Sequence, residues 1–172
     1  ASYSAADALA QAKRVYSVGA GSSLALATFL AHYMSLVFDA VQLINATSEA
    51  QILQQIVHIG PGDALIGISF PRYSKKAAKA LRYASDRGAS VIAITDSTLS
   101  PLASCAQQVL LAKSDMVSFV DSLVGPLALI NALIVTVAIK KKDEVAKTLC
   151  DLENIWDEYG VYEKVENKSD DL

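Results

Sequence analysis

The sequence predicts a three-layer α/β domain, a five-stranded parallel sheet with helices on both faces. Three observations carry this. Short β-rich runs alternate with helical segments five times, with brief turns between them. The third run, 64–69, carries no charge, as a strand covered on both faces does. The chain has 172 residues, a length suited to one domain, with 52% hydrophobic and 19% charged residues, which excludes disorder.

The elements follow in order. Residues 2–12 read as a helix, and RVYSVG, 14–19, as a strand that stops at a glycine. Residues 22–38 place Leu24, Ala27, Leu30, Met34 and Val37 at helical spacing, and VQLI, 41–44, is the second strand. Ser48 with Gln51 three residues later has the form of a capping box that opens a helix over 48–58. Pro61-Gly62-Asp63 is a turn, ALIGIS, 64–69, the third strand, and 74–87 a helix closed by Gly88. SVIAIT, 90–95, and QQVLLA, 107–112, are the fourth and fifth strands, and two helices, 121–139 and 143–159, complete the domain. The domain is expected to span 1–162, with 163–172 a polar tail. The start at Ala1, inside helix-forming sequence, reads as a cut from a longer chain.

Charge and composition narrow the function. A net charge of −3 and a pI near 5.3 give no basic footprint, so direct contact with nucleic acid is not expected of this chain. Cys105 and Cys150 have no metal spacing and fit a reducing compartment; without a signal-peptide pattern, the expected location is cytoplasmic, with no metal or cofactor. Residues 122–139 form an uncharged run followed by Lys140-Lys141-Lys142, which calls for a membrane test. Pro126, Asn131, Gly125 and Thr136 interrupt it, so a buried helix, apolar all round, is the better reading.

In doubly wound sheets ligands sit beyond the carboxyl ends of the strands. After strand one comes Gly19-Ala20-Gly21-Ser22-Ser23. A dinucleotide site needs a third glycine where this chain has Leu24, and an acid where it has Asn45. What remains is either an anion-binding turn or a tight turn with a serine cap. After strand three comes Ser69-Phe70-Pro71-Arg72-Tyr73-Ser74-Lys75-Lys76, and from Ala64 to Ser85 there is no acid, only Arg72, Lys75, Lys76, Lys79 and Arg82. Cations at a helix start oppose the macrodipole. Their presence there points to an anion shared with the Ser69 and Ser74 hydroxyls; the alternative is a solvated face with Ser74 as a simple cap. After strand four, Asp96 is expected to cap a short helix near 98–105.

GAGSS after strand one, IGISFPRYSKKA after strand three and IAITDSTLSPLA after strand four resemble the SIS (sugar isomerase) domain of RpiR-type bacterial transcription regulators. The resemblance covers about residues 8–140 and implies a flavodoxin-like sheet. The corresponding loop of SIS proteins usually reads Ser-x-Ser-Gly-x-Thr and holds a sugar phosphate. Ser69 matches its first serine and Ser74 its threonine; Pro71 replaces the second serine and Arg72 the glycine. Ser23 matches the serine of the first loop. Together with the loops read above, the candidate ligand residues are Gly21, Ser22, Ser23, Ser69, Arg72, Tyr73, Ser74 and Lys75, with Glu49, after strand two, as a weaker candidate. The resemblance further implies a homodimer, a sugar phosphate effector and an N-terminal helix-turn-helix domain that this chain lacks.

Sugar-phosphate isomerases need a base near the pocket. His32 falls mid-helix and His58 at a helix end, so both read as structural; Glu49 reads equally as a first-turn acid. The expectation is an effector sensor without catalytic residues. A sugar-phosphate isomerase and a ligand-free dimerisation module are the alternatives. Helix 121–139, apolar all round, is the expected dimer contact, with Ile130, Leu133 and Ile134 as the positions at which to break it.

Overall fold

A computed structural model describes residues 2–45 and 47–165. Residues 166–172 of the expected tail lie outside the described residues. Helix α1 (Ser2–Ala10) leads into β1 (Arg14–Gly19), α2 (Ser22–Met34), β2 (Val41–Ile44), α3 (Glu49–Gln55), β3 (Asp63–Ile68), α4 (Lys75–Asp86), β4 (Ser90–Thr95) and, after a single 3₁₀ turn (Ala103–Cys105), β5 (Gln108–Leu111). A two-stranded hairpin of β6 (Met116–Val117) and β7 (Val120–Asp121) precedes α5 (Val124–Lys140) and α6 (Lys142–Glu158). The five long strands form one parallel sheet in the order β2-β1-β3-β4-β5.

Alternate side chains leave the sheet on opposite faces. Val15, Ala64, Ile66, Ile68, Ile92 and Ile94 pack under α1, α2 and α5, against Leu9, Leu30, Met34, Ile130 and Leu133. Tyr16, Val18, Leu65, Val91 and Ala93 pack on the other face, against Ile52 and Ile56 beside α3 and Leu81 and Ala84 of α4. The edge of the core is pinned by Arg14, which donates to both carboxylate oxygens of the buried Asp63 at 3.0 and 2.8 Å.

The structure corrects four sequence expectations. Helix α2 ends at Met34, because Ser35, Leu36, Val37 and Phe38 turn back with bonds to carbonyls of the last helical turn. The helix expected over 121–139 begins at Val124, because Val120 and Asp121 are held in antiparallel pairing with Val117 and Met116. Of the positions proposed for breaking a dimer, Ile130 and Leu133 are fully buried in the subunit's own core. The face of α5 turned to solvent carries Val124, Val135 and Ile139 instead. Asp96 caps no helix; Ser97 and Ser100 accept the N–H groups of Leu99 and Ala103 in that segment. Ser48 and Gln51 form the expected capping box on α3. No single helix among the described residues is long and apolar enough to cross a membrane.

Candidate functional site

The strand order reverses between β1 and β3, so the chain leaves these neighbours in opposite directions and opens a crevice at their carboxyl ends. Two contiguous cavities of about 280 Å³ each occupy it and share Ala20, Gly21 and Ser74. Helices α2 and α4 both start at this crevice, so both point the positive ends of their dipoles into it.

The polar cavity is lined by Gly21, Ser22 and Ser23 from the first loop, by Ser69, Phe70, Pro71, Arg72 and Ser74 from the third, and by Asp121. Gly21 takes φ 60° at the start of α2, which has no side-chain cap. Ser69 accepts the N–H of Ser74 at 3.0 Å, and Ser74 accepts the N–H of Ala77 at 3.2 Å. A hydroxyl that accepts one N–H still has its own hydrogen to donate. Ser74 therefore caps α4 and faces the cavity at once, so the two sequence readings of it are compatible. Arg72 has φ 65°, and its exposed guanidinium has no hydrogen-bond or ion-pair partner among the described residues. The neighbouring cavity has an apolar floor of Val18, Leu24, Ile44, Ile52 and Ala77, with Asn45, Thr47 and Lys76 at its rim. The Lys76 ammonium donates to the Thr47 carbonyl across that rim.

Three expected residues stand outside both cavities. The Tyr73 hydroxyl donates to Asp96 Oδ1 at 2.6 Å, and that bond, reinforced by partial burial and the carboxylate's charge, pushes its pKa up to about 12. Lys75 is exposed beside the crevice. Glu49 is held by the Lys79 ammonium at 2.8 and 2.9 Å, so this pair is satisfied away from the site. His32 and His58 are exposed and line neither cavity.

Asp121 is the residue that sequence reasoning missed. Its Oδ2 accepts the Ser22 hydroxyl at 2.9 Å, across 99 residues of sequence. The short hairpin carries it there, and no local pattern announces that. Among the described residues no group of three His, Cys, Asp or Glu side chains is placed to hold a metal ion.

Serine hydroxyls, two helix starts and the unpaired Arg72 line one cavity, and these are groups that suit an oxyanion. Against known proteins, the SIS domain family model matches residues 8–136. The chain belongs to the SIS domain family. The sugar isomerase domain of an RpiR transcription factor from Sphaerobacter thermophilus is 30% identical, with a TM-score of 0.82 over 89% of this chain and 85% of that one. An uncharacterised HTH-type transcriptional regulator from Caldanaerobacter subterraneus subsp. tengcongensis is 29% identical over 151 residues, which are 84% of this chain and 52% of the relative. The chain thus spans about half the length of that regulator. These matches place this SIS domain among those of RpiR-type regulators. Two further likenesses concern the fold alone. The Vibrio vulnificus NanR protein, solved in complex with ManNAc-6P, has a TM-score of 0.74 at 19% identity over 90% of this chain and 61% of that one. The phosphoheptose isomerase GmhA from Neisseria gonorrhoeae has 0.67 at 20% over 79% and 84%.

Proposed function

We propose that this SIS domain binds a phosphorylated sugar as the effector of a transcription regulator and leaves it chemically unchanged. The observation that carries the reading is the polar cavity at the β1/β3 switch point, where Ser22, Ser23, Ser69 and Ser74 converge with the unpaired Arg72. The phosphate sits among these groups, and the sugar extends toward the adjoining cavity beside Leu24, Ile44 and Asn45. The regulator relatives and the NanR complex support an effector role; DNA contact belongs to a separate part of the regulator.

Aldose–ketose isomerisation needs a group to remove a proton from one carbon and a group to deliver it to the next. Among the described residues Asp121 is the only carboxylate lining the two cavities, and no imidazole lines either. Incubation with aldose and ketose phosphates, followed by NMR, is expected to show no interconversion; turnover at ordinary enzyme rates, about 1 s⁻¹ or more, would overturn the sensor reading.

The direct test is a thermal-shift screen across sugar phosphates. A ligand at ~100 times its Kd adds about 2.7 kcal/mol to the folded state, a clear rise in melting temperature. Replacing Ser69 and Ser74 together with alanine is expected to weaken the best ligand at least tenfold, at about 1.5–3 kcal/mol per hydrogen bond to a charged group. Unchanged affinity in that double variant places the ligand elsewhere.

A further inference from the structure

The third loop holds an arginine in a backbone conformation that suits glycine, and something must hold it there. Arg72 follows Pro71 and takes φ 65°. Proline followed by glycine is the usual sequence for a turn that needs positive φ at its second position. An L-residue with a long side chain is disfavoured in that region because its Cβ crowds the following carbonyl. The guanidinium offers no compensation, since it has no partner among the described residues, and Arg72 lines the polar cavity. The compensation lies one residue on. The Tyr73 hydroxyl reaches from the loop to Asp96, beyond the end of β4, at 2.6 Å, the short range of a hydrogen bond to a carboxylate. Thr95 Oγ1 approaches the same oxygen at 3.4 Å. The other end of the loop is fixed where Ser69 accepts the Ser74 N–H. Neither Tyr73 nor Asp96 lines either cavity.

We infer that Tyr73 and Asp96 form a clamp that holds Arg72 in its left-handed conformation and so aims the guanidinium into the anion cavity. They are positioning residues, acting on ligand through Arg72; this rests on the phosphate reading of that cavity. The clamp survives ordinary conditions, because the tyrosine hydroxyl, with its pKa near 12, remains a donor throughout the physiological range.

The test is a double-mutant cycle between the clamp and the strained residue. Inorganic phosphate is titrated into the wild-type chain, Tyr73→Phe, Arg72→Gly and the double variant, with amide shifts followed by NMR. Tyr73→Phe is expected to weaken phosphate at least about fivefold in the wild-type background, the equilibrium equivalent of one left-handed backbone penalty. In the Arg72→Gly background it is expected to have no effect, because glycine needs no clamp and the guanidinium is gone. Equal weakening in both backgrounds, or none in either, overturns the inference. A second readout is independent of ligand. Backbone couplings and carbon shifts of Arg72 are expected to leave the left-handed range in Tyr73→Phe and in Asp96→Asn. Should they remain there in both variants, the clamp is refuted, whether or not phosphate binds. Failure of wild-type chain to bind phosphate, with the backbone response intact, instead refutes the cavity assignment alone.

Discussion

Arg72 and Asp121 bring opposite charges to one cavity, and each makes a separate prediction. A left-handed arginine costs about 1–2 kcal/mol in backbone strain. Arg72→Gly removes that strain but also frees the unfolded chain, which costs roughly 0.4–1 kcal/mol in return. Stability in urea is therefore expected to move by less than about 1 kcal/mol, while phosphate affinity falls about tenfold with the lost charged contact. A large loss of stability would mean that the guanidinium supports the fold. Asp121 presents a carboxylate to the same space, tied to Ser22 at 2.9 Å. A dianion beside it is opposed by like charge, at about 2 kcal/mol for unit charges some ~8 Å apart at an effective dielectric near ~20. Asp121→Asn is expected to tighten inorganic phosphate about threefold or more, measured by titration calorimetry at fixed ionic strength. A sugar phosphate, whose phosphate sits in the same cavity, is expected to gain by a similar factor. No gain for either would remove Asp121 from the neighbourhood of the bound phosphate.

At the level of elements, the site depends on how closely α2 starts to β1. A Cβ on Gly19 would lie 2.5 Å from the Ser23 carbonyl oxygen, which is helix backbone and has little room to yield. Gly19→Ala is therefore expected to push the start of α2 away from the sheet. The expected cost is about 1–3 kcal/mol in stability, as for other overpacked sites, together with loss of phosphate binding, read by chemical denaturation and calorimetry. Retained binding at wild-type affinity would show that the first loop tolerates the shift. The same elements explain what the sequence made legible. Strand β3 was readable because its charge-free run, 64–69, is covered on both faces, and the serine loops because they follow strand ends. The hairpin was hidden: two strands of two residues have no period to read, and Asp121 stands at the head of the uncharged run that follows. With the hairpin went Asp121. Tyr73 was assigned to the ligand because sequence order places it in the loop; its partner Asp96 belongs to the next strand end, and only the fold brings them together.

At the scale of the whole molecule, α5 leaves an apolar strip without a partner among the described residues. An α-helix whose apolar residues surround its axis cannot say from sequence which side is inward. In α5, Pro126, Ile130, Leu133 and Val137 face the core, and on the opposite side Val124, Val135 and Ile139 are 78%, 56% and 67% exposed. Ala128, exposed between them, adds no bulk to the strip. Helix α6 leaves α5 at 98°, and none of its own residues is buried, so it does not cover this strip. Burying a Val or Ile side chain is worth about 1.5–3 kcal/mol, and a two-fold contact between copies would remove several at once. Homodimerisation through this strip is therefore the expected assembly. A contact along α5 would also involve the helix that follows the hairpin carrying Asp121, so ligand and assembly would share one stretch of chain. Val135→Glu with Ile139→Glu is expected to give a folded monomer near 18.3 kDa by light scattering behind size exclusion, where the wild-type chain gives a dimer. Ile130→Glu, by contrast, places a charge in the subunit's own core and is expected to unfold it, seen as loss of the cooperative melting transition. A wild-type monomer at micromolar concentration, or a dimer indifferent to the Val135 and Ile139 substitutions, would rule out the α5 strip as the contact.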